Sequence, residues 1–281
     1  MPTANLADFE ERFAELPGTR LRVFAAGEGE PVVLVHGLGG GAANWGLIAP
    51  RLAERFRVLV PDLPGHGGSP PLPGAPALVD FADAVGALLE REGVVSATLV
   101  GHSFGGVTAL RLAIRRPDAV RGVVLAAAAG ISSGRRSAQV LLPLFGVIRP
   151  GRMIAPFRGM VAAAPQLRYG VFGWWGAADP PALPAAAVEG FLAPYVLHTD
   201  TLAAGRALLL EDPRVDLERV RCPALVLWGA RDHQVSVADA FEYARRLRAP
   251  LRVIADCGHL LIGERPDVCV QAIEEFLDGV R

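Results

Sequence analysis

The sequence predicts an α/β fold, a mostly parallel central sheet flanked by helices, with a helical segment inserted into its second half. Three observations carry that expectation. Short Val- and Leu-rich runs alternate with longer helical patterns, and most of the runs lack polar alternation, as strands covered on both faces do. A Gly-x-Ser-x-Gly turn, Gly101-His102-Ser103-Phe104-Gly105, falls between one such run and one such helix. The alternation then stops between about Ile131 and Arg219, a stretch rich in Ala, Pro, Gly and aromatic residues with no convincing strand.

In chain order the expected strands are Leu21 to Ala25, Val32 to Val35, Arg57 to Val60, Ala97 to Val100, Val123 to Ala127, Leu225 to Trp228 and Leu251 to Ile254. Gly27-Glu28-Gly29-Glu30 reads as a hairpin-like turn between the first two. Helices are expected at Trp45 to Arg55, Leu78 to Arg91, Gly105 to Arg115, Val237 to Leu247 and Pro266 to Val280. Strand–helix alternation of this kind calls for a wound sheet with right-handed crossovers. The expected division is a core of residues 1–130 and 220–281 and a helical cap of 131–219.

A chain of 281 residues can bury a large core. Half of its residues are hydrophobic (51%) and 20% are charged, which argues against extensive disorder. A net charge of -1 gives no overall attraction to nucleic acid. All 28 basic side chains are Arg, so neither a Schiff-base lysine nor a phosphate-binding Walker lysine is present. Cys222, Cys257 and Cys269 lack metal-ligand spacing and suit reduced thiols, and the first ten residues do not read as a secretion signal. With no run of about 18 apolar residues either, the expectation is a cytoplasmic protein without stable membrane anchoring.

The chemistry is expected at Ser103. A Gly-x-Ser-x-Gly turn between strand and helix is a nucleophile elbow, too tight for large flanking residues. It exposes the hydroxyl at the sheet's carboxyl edge, above a helix amino end that favours negative charge. A serine needs a base, and the base needs an acid to orient it. Of six histidines, His259 follows the last strand and so reaches the same edge. His102 adjoins the serine, with a side chain that must point away from the hydroxyl. Asp232, just after another strand, is the expected acid, giving the order Ser103, Asp232, His259. Asp256 is too close to His259 in sequence to orient it well, and Asp62 is better suited to holding its own loop. The glycine run His36-Gly37-Leu38-Gly39-Gly40-Gly41 supplies backbone N–H groups, so Leu38 and Phe104 are the expected donors to a negative oxygen. That run does not meet the strand–helix context of a dinucleotide fingerprint. No metal or organic cofactor is expected.

On these residues the chain resembles the α/β-hydrolase superfamily, specifically its cap-bearing esterase and lipase-like members. The matching pieces are His36-Gly37 with the glycines after it, Asp62-Leu63-Pro64-Gly65-His66-Gly67-Gly68-Ser69, the Ser103 elbow, Gly229 with Asp232, and Gly258-His259. The resemblance implies a Ser103–His259–Asp232 triad and an oxyanion hole at Leu38 and Phe104. The chain departs from many relatives at Val235 and Ser236, where a proline follows the acid.

The expected activity is hydrolysis of a small-molecule carboxylic ester of a small to medium apolar acid. Carbon–carbon hydrolysis of a β- or vinylogous diketone competes on the same triad, and Asn44-Trp45 is compatible with it. Acyl transfer, cofactor-free perhydrolysis and a ligand receptor with residual hydrolysis are further readings. In the inserted segment Phe145, Met153, Phe157, Met160, Tyr169, Phe172, Trp174 and Trp175 supply apolar surface. Most of it would glue the cap to the core. Gly37, Trp174 and Trp175 are the candidate substrate contacts. Arginines 135, 136, 149, 152, 158 and 168, with no acid before Asp179, form a solvated basic face, or else meet a lipid surface or an acidic substrate group.

Overall fold

Eight strands form one sheet in the computed structural model, which describes residues 6–132, 150–197 and 201–280. They are β1 Glu10–Leu16, β2 Thr19–Ala26, β3 Pro31–Val35, β4 Arg57–Pro61, β5 Ala97–His102, β6 Val120–Ala126, β7 Ala224–Gly229 and β8 Leu251–Ile254. Across the sheet the order is β1-β2-β4-β3-β5-β6-β7-β8. From β4 onward every pairing is parallel, whereas β1–β2 and β2–β4 are antiparallel. The Val- and Leu-rich runs become the central strands because they are covered on both faces: every residue of β5 and β7 is buried. Flanking helices are α1 Ala49–Ala53, α2 Leu78–Arg91, α3 Phe104–Arg115, then α4 Pro150–Ile154, α5 Arg158–Ala163, α6 Pro165–Gly176, α7 Ala185–Leu192 and α8 Thr201–Leu209, and finally α9 Val237–Leu247, α10 Leu261–Glu264 and α11 Pro266–Gly279.

The structure corrects the expected hairpin. β2 and β3 do not pair; β4 lies between them and is bonded to both. The glycines of the connection serve a close approach instead, since a Cβ on Gly27 would stand 2.2 Å from the Phe56 carbonyl oxygen. The hairpin is one strand earlier, at Pro17-Gly18, where Gly18 takes φ +77° and Leu16 pairs with Thr19. β1 was not expected because Glu10-Glu11-Arg12 lacks the Val/Leu signature, a composition suited to an exposed edge strand. The expected Trp45–Arg55 helix is also shorter. A 3-10 turn covers Ala42–Trp45, and α1 begins only at Ala49, with Pro50 in its first turn where a missing N–H costs nothing.

Between β6 and β7 the described residues form helices and loops and no strand. This segment meets the carboxyl edge of the sheet at several points. The Asn44 side chain donates to the Gly190 carbonyl (2.9 Å), the Leu260 N–H to the Gly176 carbonyl (3.1 Å), and the Ala178 N–H to Glu264 (2.8 Å). Both of its roots are tied down. Tyr243 donates its hydroxyl to the Ala129 carbonyl at 2.6 Å, and Asp239 accepts from the Ser132 N–H at 2.9 Å. At the far root Arg111 of α3 bridges Asp216 (2.7 Å) and Glu211. Among the described residues no helix is long and apolar enough to cross a membrane.

Candidate active site

Ser103 stands between β5 and α3 with φ 53° and ψ −114°, a conformation that costs a non-glycine residue about 1–3 kcal/mol. Its surroundings require glycine. A Cβ on Gly101 would fall 2.3 Å from the Gly105 carbonyl oxygen, and one on Gly105 would fall 2.2 Å from that of Val35. The backbone is held there by the Ser103 N–H donating to Ala126 O and by Ser103 O accepting from Gly106 and Ala129, each at 3.0 Å. Ser103 as a residue is partly exposed.

The structure brings the three expected residues together. His259 Nδ1 lies 2.8 Å from Asp232 Oδ2, and His259 Nε2 lies 3.1 Å from Ser103 Oγ. A carboxylate can only accept, so the proton belongs on Nδ1 and the Nε2 lone pair faces the hydroxyl. The second oxygen of Asp232, Oδ1, accepts from the N–H groups of Gln234 and Val235, both at 2.9 Å. The resemblance implies a proline at Val235 or Ser236, and the N–H that Val235 donates to the carboxylate is one a proline there could not supply. Asp256 is exposed and paired with Arg231 at 2.7 Å, away from the imidazole.

The remaining histidines divide by what their rings bond. Buried His36 donates from Nδ1 to the Gly37 carbonyl (2.8 Å) and accepts at Nε2 from the Leu63 N–H (2.9 Å). Both ring nitrogens are used in the neutral form, and burial, with His66 nearby, lowers its pKa well below the ordinary value. Asp62, fully buried, accepts from the N–H groups of Ala42 (2.6 Å) and Gly68 (2.8 Å) and from Arg22 (2.7 Å), so it joins the glycine loop to its own loop. His102 bonds the backbone carbonyl of His259 at 2.9 Å, its ring beside that of His259. His198 lies outside the described residues, and His233 is exposed.

Of the expected oxyanion donors, Phe104 opens α3 and Leu38 lies in the glycine loop. Neither N–H is paired in the hydrogen bonds between described residues. Gly37 packs directly against the elbow, since a Cβ there would be 3.2 Å from that of Ser103. The side chains of Trp174 and Trp175 lie outside the described residues, as do Phe145 and arginines 135, 136 and 149. Arg168 does not contribute to a free basic face. It is buried and donates to the carbonyls of Ala162, Pro181 and Leu183.

Sequence reasoning missed Glu264. Its carboxylate accepts from the Gly258 N–H at 3.0 Å and from Ala178, clamping the loop that carries His259 to the inserted segment. Burial pushes its pKa up. No spacing in the sequence signals that role.

The sequence profile of the alpha/beta hydrolase family matches residues 32–272. The chain is similar to the dihydrolipoyllysine-residue acetyltransferase component of the acetoin cleaving system of Pseudomonas putida, at 32% identity over 94% of this chain and 68% of that one. It is equally similar to the 2-hydroxymuconate semialdehyde hydrolase of Pseudomonas sp. strain CF600, at 32% identity over 86% and 84% of the two chains. Among solved structures it resembles a thermophilic esterase from Thermogutta terrifontis, with a TM-score of 0.73 and 26% identity over 96% of this chain and 99% of that one.

Proposed function

The chain belongs to the alpha/beta hydrolase family, and from that membership we propose that it is a serine hydrolase cleaving carboxylic esters of small to medium apolar acids through an acyl-enzyme. The observation that carries the reading is the unbroken bonded line from Asp232 Oδ2 through the His259 ring to Ser103 Oγ, 2.8 and 3.1 Å long. In this reading His259 Nε2 takes the proton as Ser103 Oγ attacks the ester carbonyl. The negative oxygen turns toward the N–H groups of Leu38 and Phe104, each typically worth ~2.7–4 kcal/mol of barrier lowering. Asp232 holds the imidazole and stabilises its cation. The alcohol leaves with the proton from His259, and water activated by the same base then releases the acid. The helical segment between β6 and β7 acts as the lid, and its apolar content favours an apolar acyl group. Three free thiols accord with work in the cytoplasm.

A second reading, hydrolysis of a carbon–carbon bond next to a ketone, is favoured by the similarity to the 2-hydroxymuconate semialdehyde hydrolase. Its support from Asn44-Trp45 is reduced, because Trp45 is fully buried and the Asn44 amide bonds Gly190 O and the Gly41 N–H. The test is a panel of p-nitrophenyl esters of increasing chain length beside a vinylogous diketone, run on native protein and Ser103→Ala. Ester turnover that falls ~10⁴-fold or more in the variant is expected. Turnover of the diketone alone would select the second reading, and near-native turnover by Ser103→Ala would remove Ser103 as nucleophile.

A further inference from the structure

We propose that His102 is a positioning residue for the reaction: its side chain holds the backbone of His259 in register with Ser103, the residue next to it in sequence. The proposal rests on the reading of Ser103 and His259 as nucleophile and base.

The argument begins with topology. Ser103 follows β5, and His259 follows β8. Between those strands lie β6 and β7, so the sheet separates them by three ladders, roughly 14 Å at the usual strand spacing. An attack distance set only through the sheet would carry the play of every intervening contact. The loop of His259 is fixed to other elements by Glu264 at the Gly258 N–H, by the Gly176 carbonyl at the Leu260 N–H, and, toward the segment after β7, by the Arg231 N–H at the Cys257 carbonyl and by Asp232 at the imidazole. None of these bonds reaches β5.

His102 does reach across. It ends β5, and its ring lies beside that of His259, with centroids 5.0 Å apart. Its Nε2 is 2.9 Å from the His259 carbonyl oxygen. A carbonyl can only accept, so Nε2 carries the proton and donates it. The result is a short closed ring: Ser103 Oγ to His259 Nε2, through that residue to its carbonyl, on to His102 Nε2, and back to Ser103 across one peptide bond. Base and nucleophile are thereby referenced to each other locally, whatever the sheet does.

Two properties suit the task. Burial, reinforced by neighbouring His259, lowers the pKa of His102 to about 3, so the ring stays neutral and adds no charge beside the imidazolium that forms during turnover. Its other nitrogen, Nδ1, is buried without a hydrogen-bond partner among the described residues, facing Gly37, where a Cβ would approach it to 3.0 Å. Among the described residues the ring's polar contact is thus the Nε2 bond to the His259 carbonyl.

The experiment compares His102→Gln, His102→Asn and His102→Leu with native protein. A glutamine amide N–H reaches the place of Nε2, an asparagine amide stops at the place of Nδ1, and leucine has no donor. Steady-state ester hydrolysis gives kcat and KM, the rate of Ser103 labelling by a fluorophosphonate gives nucleophile reactivity, and thermal melting gives folding. Leu and Asn are expected to lower kcat and the labelling rate tenfold or more with KM within about twofold, and Gln to recover most of both. Should the Leu variant fail to fold, the Asn–Gln pair reads the same difference. Equal labelling rates for Asn and Gln, or a loss confined to KM or to melting, overturn the proposal. If native protein is not labelled at Ser103, the reading beneath it falls; if native protein is labelled and every variant matches it, only the role of His102 falls.

Discussion

The two oxygens of Asp232 have different duties. Oδ2 faces His259 Nδ1, while Oδ1 is taken by the N–H groups of Gln234 and Val235. That asymmetry makes Asp232→Asn informative. The two backbone donors need an acceptor, so the amide oxygen would stay with them and the NH₂ would turn to the imidazole. His259 Nδ1 must then accept, which moves the ring proton to Nε2 and leaves no lone pair for Ser103. A fall of kcat by about 10³–10⁴-fold is expected, with a melting temperature close to native. Ester turnover and melting curves of the purified variant check both halves. Retained turnover would mean that Asp232 does not set the tautomer. At the same corner the Val235 N–H supplies a hydrogen bond to the carboxylate, which a proline at that position could not.

Among the elements, the roots of the inserted segment are tied to the core by side-chain bonds. Arg111 lies on α3, the helix that opens just after Ser103, and its guanidinium bridges Glu211 and Asp216 before β7, with all three side chains only 13–15% exposed. Arg111→Met would leave the largely buried Glu211 without this cation and Asp216 with only the 3.6 Å contact to exposed Arg219, a loss of about 3 kcal/mol or more. Urea unfolding monitored by circular dichroism reads it; a change below about 0.5 kcal/mol would show that the network is idle. Much at this scale was legible in the sequence. Continuous Val/Leu runs located β3 to β8 within a few residues, and loops after those strands placed Ser103, Asp232 and His259 on one edge. What escaped had no local signature. β1 is a strand because β2 folds back on it at Gly18, not because Glu10-Glu11-Arg12 favours extension. Glu264 reaches Gly258 only once α10 has packed under the loop, and the bond of His102 crosses two strands.

At the scale of the whole molecule, buried neutral histidines give stability a particular dependence on pH. His36 and His102 both have pKa values depressed by burial, that of His102 to about 3 from an ordinary 6.5. Below pH 6.5 the unfolded chain takes up protons that the folded protein refuses, so folding weakens as pH falls toward 3. The slope approaches about 1.4 kcal/mol per pH unit for each such histidine. Glu264 runs the other way: its raised pKa means the folded protein gains stability as pH falls through that value. Urea midpoints of native protein and His102→Gln at pH 7.5, 6 and 5 isolate one histidine, and the variant should lose less stability on acidification. Parallel curves would contradict the burial argument.

All of these effects converge on whether one serine among the ring of glycines is the reactive atom. Intact mass and peptide mapping after treatment with a fluorophosphonate test that most directly. A single adduct on Ser103, formed in step with the loss of ester hydrolysis and absent from Ser103→Ala, is the predicted result; an adduct on another residue, or full labelling with turnover unimpaired, would contradict it.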